Sequence, residues 1–151
     1  MIQRIQTIYM LCAIFVCGLL MHFNIICFIR GNEIYDMTIW GLKPESGTEG
    51  GSFSTFPIAL LDILTLVLTL YNIFKYKNRS LQIRANILAS LLLIGLYVAV
   101  FVYYLLIIPS DANFVFQWGL LLPLIAIIFL VLANKSIKSD EALVRSVDHI
   151  R

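Results

Sequence analysis

Charge is what this chain has least of. Of its 151 residues 13% are charged and 60% hydrophobic, with a net charge of +2. Soluble domains carry about 25% charged residues, so this scarcity excludes an ordinary water-facing surface and points to a membrane protein. So small a net charge also gives no reason to expect a nucleic-acid partner. Histidine is nearly absent, with only His22 and His149. There is no His-Glu-x-x-His, Gly-x-Ser-x-Gly, Walker-type or Cys-x-x-Cys pattern, and each of those spacings is what its chemistry requires. The expectation is a protein that is not an enzyme, with no cofactor and no metal site. The three cysteines, Cys12, Cys17 and Cys27, all fall in the first apolar run. An odd count there is no disulfide framework, and the bland reading is small packing residues. No small-x-small cleavage site follows that run, so it reads as an uncleaved span rather than a signal peptide.

What the chain does have is long apolar runs, over residues 5–29, 55–74, 85–108 and 114–133. A helix needs about 20 apolar residues to cross roughly 30 Å of hydrocarbon, and all four runs qualify. The connections between them are polar and hold breakers or charges, and the runs do not alternate as barrel strands do. The expected fold class is an all-α membrane protein, a four-transmembrane-helix bundle. Residues 1–134 form its membrane domain with an outer loop at 30–54, and residues 135–151 form a separate tail.

Basic residues orient the bundle. Arg4, Lys75, Lys77, Arg79, Arg84, Lys135, Lys138, Arg145 and Arg151 fall on one side, and only Arg30 and Lys43 on the other. That bias predicts that both termini and the middle connection are cytoplasmic. In the outer loop, residues 34–40 are β-branched and aromatic enough for a strand, with residues 52–56 as its return, so a short β-hairpin is expected. Trp40, Tyr35 and Phe53 then read as interfacial anchors rather than a ligand-binding lid. The inner turn with Lys75, Lys77 and Arg79 reads as a lipid-headgroup contact. In the tail, Ser139 or Asp140 is placed to cap a short amphipathic helix. Leu143, Val147 and Ile150 lie on one face of it, ready for the membrane surface or a partner.

Polar residues inside the runs fall in stripes. In the second run Asp62, Thr65, Thr69 and Asn72 share an arc of about 80°. In the third, Asn86, Ser90, Tyr97 and Tyr104 fall within about 40° of one another. In the fourth, Gly119, Ala126 and Ala133 recur every seven residues, which lets a neighbouring backbone come close, and Pro123 is expected to kink the helix. Polar groups are costly in lipid, so each stripe should face inward. Asp62 is the most expensive of them. Counting inward from each run's end, His22 reaches the same depth, so Asp62 and His22 are expected to meet, with Tyr104 or Gln117 completing the cluster. Its functional version is a proton relay or a small-ligand site, and its bland version a structural contact.

Both ends of the chain carry a resemblance. Met1-Ile2-Gln3-Arg4-Ile5-Gln6-Thr7, then Lys77-Asn78-Arg79-Ser80-Leu81-Gln82-Ile83-Arg84, then Ala133-Asn134-Lys135 and Asp140-Glu141-Ala142-Leu143-Val144-Arg145-Ser146 resemble a bacterial family of small integral membrane proteins of unknown function. The resemblance implies four helices in an inner membrane and no assigned activity, and it supplies no catalytic residues. It draws attention to Gln3, Gln6, Gln82 and Asn134, which can knit the cytoplasmic helix ends together. The expected role is a non-enzymatic accessory or interaction protein of the inner membrane. Its partners are the lipid bilayer and a protein held at a cytoplasmic face that includes Arg4, Lys75, Lys77, Arg79, Arg84, Leu143 and Val147. The alternative is a small transporter or proton-coupled component that uses Asp62 and His22.

Overall fold

The structure is a computed structural model and describes residues 3–30, 33–44, 54–75, 78–107 and 112–148. Its first helix, α1 (Gln3–Leu20), stops well short of the apolar run that contains it. The Met21 and His22 amides close back onto the Gly18 and Leu19 carbonyls, which satisfies two of the four orphan acceptors at the helix end. The chain then becomes extended as β1 (Ile26–Arg30) and pairs with β2 (Glu33–Met37), from Arg30 opposite Glu33 to Ile26 opposite Met37. The short β3 (Leu42–Pro44) adds to the free side of β2. The far side of β1 takes β4 (Asn113–Phe116), which lies 83 residues after Arg30 by numbering (113 − 30). The result is a four-stranded antiparallel sheet of order β3-β2-β1-β4.

This sheet corrects three expectations. The first run is not helical to residue 29, because α1 stops at Leu20 and the end of the run is the inner strand β1. The fourth run does not enter its helix at residue 114, because Phe114–Phe116 belong to β4. The expected hairpin exists around residues 34–37, but its partners are β1 and β3 rather than residues 52–56. Residues 52 and 53 lie outside the described residues, and Phe56 already begins a helix. The physical reason is shared. Ile26, Cys27 and Phe28 are buried on successive positions, so β1 is covered on both faces. Such a strand shows no alternation and reads as part of an apolar helix.

Three further helices complete the fold: α2 (Phe56–Phe74), α3 (Arg79–Ile107) and α4 (Leu122–Asp148), the last entered through a 3₁₀ turn at Trp118–Leu121. Pro57 and Pro123 both sit in the first turn of their helices, where a missing N–H costs nothing. Pro123 therefore starts α4 instead of kinking it. Nor is the tail a separate helix. No breaker separates Ala133 from Ser139, so α4 runs on unbroken, and Ser139 and Asp140 are interior positions rather than caps.

Segments Phe56–Phe74, Arg79–Leu106 and Trp118–Ala142 are long and apolar enough to cross a membrane, and the apolar part of α1, Ile5–Leu20, is shorter. Burial follows the membrane pattern. Thr65, Thr69, Asn72 and Asn86 are buried, while Phe15, Phe74, Phe101 and Leu106 are exposed. The sheet closes one end of the bundle, where Leu20, Ile58, Leu96 and Val100 pack with Ile26, Phe28, Met37 and Ile39. Thr55 fixes the start of α2 there by donating its hydroxyl to the Thr38 carbonyl at 2.9 Å. The opposite end carries Lys75, Arg79, Arg84, Lys135 and Lys138 and is the basic end of the molecule.

Candidate functional site

Among the described residues, two polar centres lie inside the bundle. One is an isolated carboxyl and the other an amide network at the basic end.

Asp62 lies about a third of the way along α2 on the face that also carries Ile58, Thr65, Thr69 and Asn72, all of them buried. Its exposure is 0%, and neither carboxyl oxygen has a hydrogen-bond partner among the described residues. The polar group standing beside it is the Cys17 thiol of α1, itself buried. His22 is not there. Because α1 ends at Leu20, His22 leaves the helix and is exposed in the turn that follows. Tyr104 stacks edge-on against Phe114 at 6.1 Å between ring centres. Gln117 precedes the 3₁₀ turn, and its carbonyl accepts the Leu120 amide at 3.2 Å. The expected cluster of Asp62, His22, Tyr104 and Gln117 is therefore not assembled. The depth match that suggested it assumed a helix through residue 29.

At the basic end the side chains are connected. Asn72 of α2 donates to the Asn86 side-chain oxygen at 2.8 Å and to the Gln82 carbonyl at 3.1 Å. Gln82 answers by donating to the Asn72 carbonyl at 3.2 Å. Asn86 of α3 donates in turn to the Asn134 side-chain oxygen of α4 at 2.9 Å. Finally, Gln6 of α1 donates to the Asp140 carboxylate of α4, with both side chains buried. Each helix is thus tied to the next through an amide, and these bonds are made where lipid would offer no partner. Around them Met10 packs with Ala133 and Ile137. Early α1 therefore lies against late α4, and the two run antiparallel.

The remaining candidates of the basic face are spread around this network. Lys75 sits over the Tyr71 ring at 5.4 Å, a cation–π contact. Arg79 is half-buried, and Arg84, Lys135 and Lys138 are exposed. Lys77 lies outside the described residues, as do the side chains of Arg4, Leu143 and Val147, whose backbones belong to α1 and α4.

Two participants were misread from sequence. Cys17 passed as a packing residue, and nothing local distinguishes it from Cys12. Asp140 looked like a helix cap, yet it is the next step of the seven-residue stripe through Gly119, Ala126 and Ala133. That periodicity is the signal that marks it as inward-facing. At the other end of the stripe, a Cβ on Gly119 would lie 2.1 Å from the Asn24 carbonyl oxygen. Only glycine lets the start of the fourth span approach the turn after α1 so closely.

Residues 2–150 match the family described as Domain of unknown function (DUF4293). The chain belongs to that family. The match takes in the sheet and all four helices, so DUF4293 describes this whole fold rather than a part of it. No curated protein matches the chain.

Proposed function

We propose that this DUF4293 protein is a non-enzymatic accessory protein of a bacterial inner membrane. It crosses the membrane four times, with both termini on the cytoplasmic side, and holds a protein partner at its basic end. The distribution of Lys and Arg supports this orientation, nine toward one end and two toward the other. The length of α1 is compatible with it, since 18 residues give about 27 Å of helix packed against α4.

The observation that carries the docking role is the continuity of α4. It holds 27 residues, about 40 Å of helix, against about 30 Å of hydrocarbon. The Gln6–Asp140 bond locks it to α1 close to where α1 begins. The turns beyond Asp140 project past that level on a rigid base. A pre-ordered helix spares a partner the cost of ordering it. Removing residues 142–151 keeps Glu141, Asp140 and the Gln6–Asp140 bond. In affinity purification from mild detergent, the truncated protein is expected to lose a partner that the full chain retains. An identical partner set for the two proteins would overturn the docking role.

A further inference from the structure

Asp62 stands where two kinds of interior meet. Toward the sheet, the bundle is filled by Leu20, Ile25, Ile39, Ile58, Leu96 and Val100, every one of them buried. Toward the basic end, the same face of α2 continues as Thr65, Thr69 and Asn72, also buried. The two threonine hydroxyls donate to the Leu61 and Thr65 carbonyls at 2.8 Å each. Their oxygen lone pairs stay available as acceptors along the stripe. At its end the Asn72 side-chain oxygen is buried with no hydrogen-bond partner among the described residues. From Asp62 to Asn72 the stripe covers about 15 Å of helix, and Lys75 lies exposed just beyond it.

The groups facing Asp62 are few. α1 and α3 are the helices packed against α2. From α1 comes the Cys17 thiol. From α3, Leu93 packs in the cluster that holds Cys17 and Leu96 in the cluster that holds Ile58, and the Tyr97 hydroxyl is already taken by the Leu120 carbonyl at 2.6 Å and the Leu124 amide at 3.0 Å. Among the described residues no cationic side chain is one of them. A carboxylate left unpaired in such a place is among the most expensive groups a membrane protein can hold. A hard metal cation is no remedy, because it needs about six oxygen ligands and the polar group beside Asp62 is a sulfur. A proton is the ligand that fits.

We propose that Asp62 is a reversible proton-binding site, reached from the basic end along the Thr65–Thr69–Asn72 stripe and sealed toward the sheet. The step is simple. The carboxylate takes one proton to become the neutral acid, and the reverse step returns it to the same end, with no other reactant. This site dispenses with His22 and is independent of any partner held by α4, so either can fail without the other.

The test uses the full-length protein in liposomes and pH-difference infrared spectroscopy. The wild type is expected to show a carboxylic-acid carbonyl band that rises on acidification and falls on return. That band should vanish in D62N. Should D62N not fold, D62E serves, because the band then shifts instead of disappearing. After a rapid pH change, T65V/T69V should reach the same band amplitude several-fold more slowly. A pH-difference spectrum without this band in the wild type overturns the proposal, as does a band unchanged in D62N or D62E. Equal rates in the wild type and T65V/T69V overturn the route.

Discussion

Gln6 and Asp140 show how much one contact decides. The acid is 6% exposed and the amide 5%, so the bond between them replaces water that neither can reach freely. Substituting Gln6 by Leu leaves a buried acceptor without its donor, which costs about 1–3 kcal/mol. Q6L should lower the unfolding midpoint in detergent, and Q6L/D140L should recover part of the loss, because no polar group is then stranded. Losses that simply add would show that the two side chains do not interact. Gly119 works by the opposite means, through having no side chain. G119A places a methyl 2.1 Å from the Asn24 oxygen and 2.8 Å from its carbonyl carbon. Backbone cannot swing aside as a side chain does, so a loss of about 1–3 kcal/mol is expected, again read from the unfolding midpoint. The inward position of Asp140 was legible in the seven-residue stripe. The need for glycine at 119 was legible only as small-residue spacing, since the turn it meets lies 95 residues earlier by numbering (119 − 24).

Among the elements, the polar stripes were the most legible feature. A polar side chain in an apolar helix can only turn inward, and Asp62, Thr65, Thr69 and Asn72 are all buried. Asn86 is the central link, since it accepts from Asn72 and donates to Asn134. N86L removes both bonds and strands two amides. Interhelical hydrogen bonds in membranes average about 0.6 kcal/mol each, so a combined loss above 1 kcal/mol is expected from the stranded groups. It should be larger than that of S90A, whose hydroxyl bonds back to the Asn86 carbonyl within α3. Comparable stability for the two variants would mean that the network does not tie the helices together. The strands were the least legible element. Gly31-Asn32, between two runs rich in β-branched and aromatic residues, is a two-residue hairpin signature. The long apolar run before it hides that signature. β4 had no local signal at all, because four residues ahead of a long apolar run look like the start of that run.

For the molecule as a whole, the reversed pattern of burial is the governing fact. Amides and hydroxyls are buried inside while many large apolar side chains, Phe15, Phe74, Phe101 and Leu106 among them, face outward, which suits a solvent that is itself apolar. The orientation proposed above has a direct check. Lys43 at the sheet end and Asn78 at the basic end are both exposed. Single cysteines placed there, in a chain whose own cysteines are changed to serine or alanine, should react with a membrane-impermeant reagent from opposite sides. Residue 43 is expected to react in intact cells and residue 78 only after lysis. Labelling of both in intact cells would refute an even number of crossings with the basic end inside. Sequence by itself determined the apolar exterior, the inward polar stripes and the separation of the basic end. All three follow from composition and helical periodicity, which are local properties. Only the tertiary structure decided that the first run divides into helix and strand, that His22 is exposed and that Cys17 is the neighbour of Asp62. Those outcomes depend on β1 finding partners in β2 and, far along the chain, in β4, and no pattern read along a single segment carries that pairing.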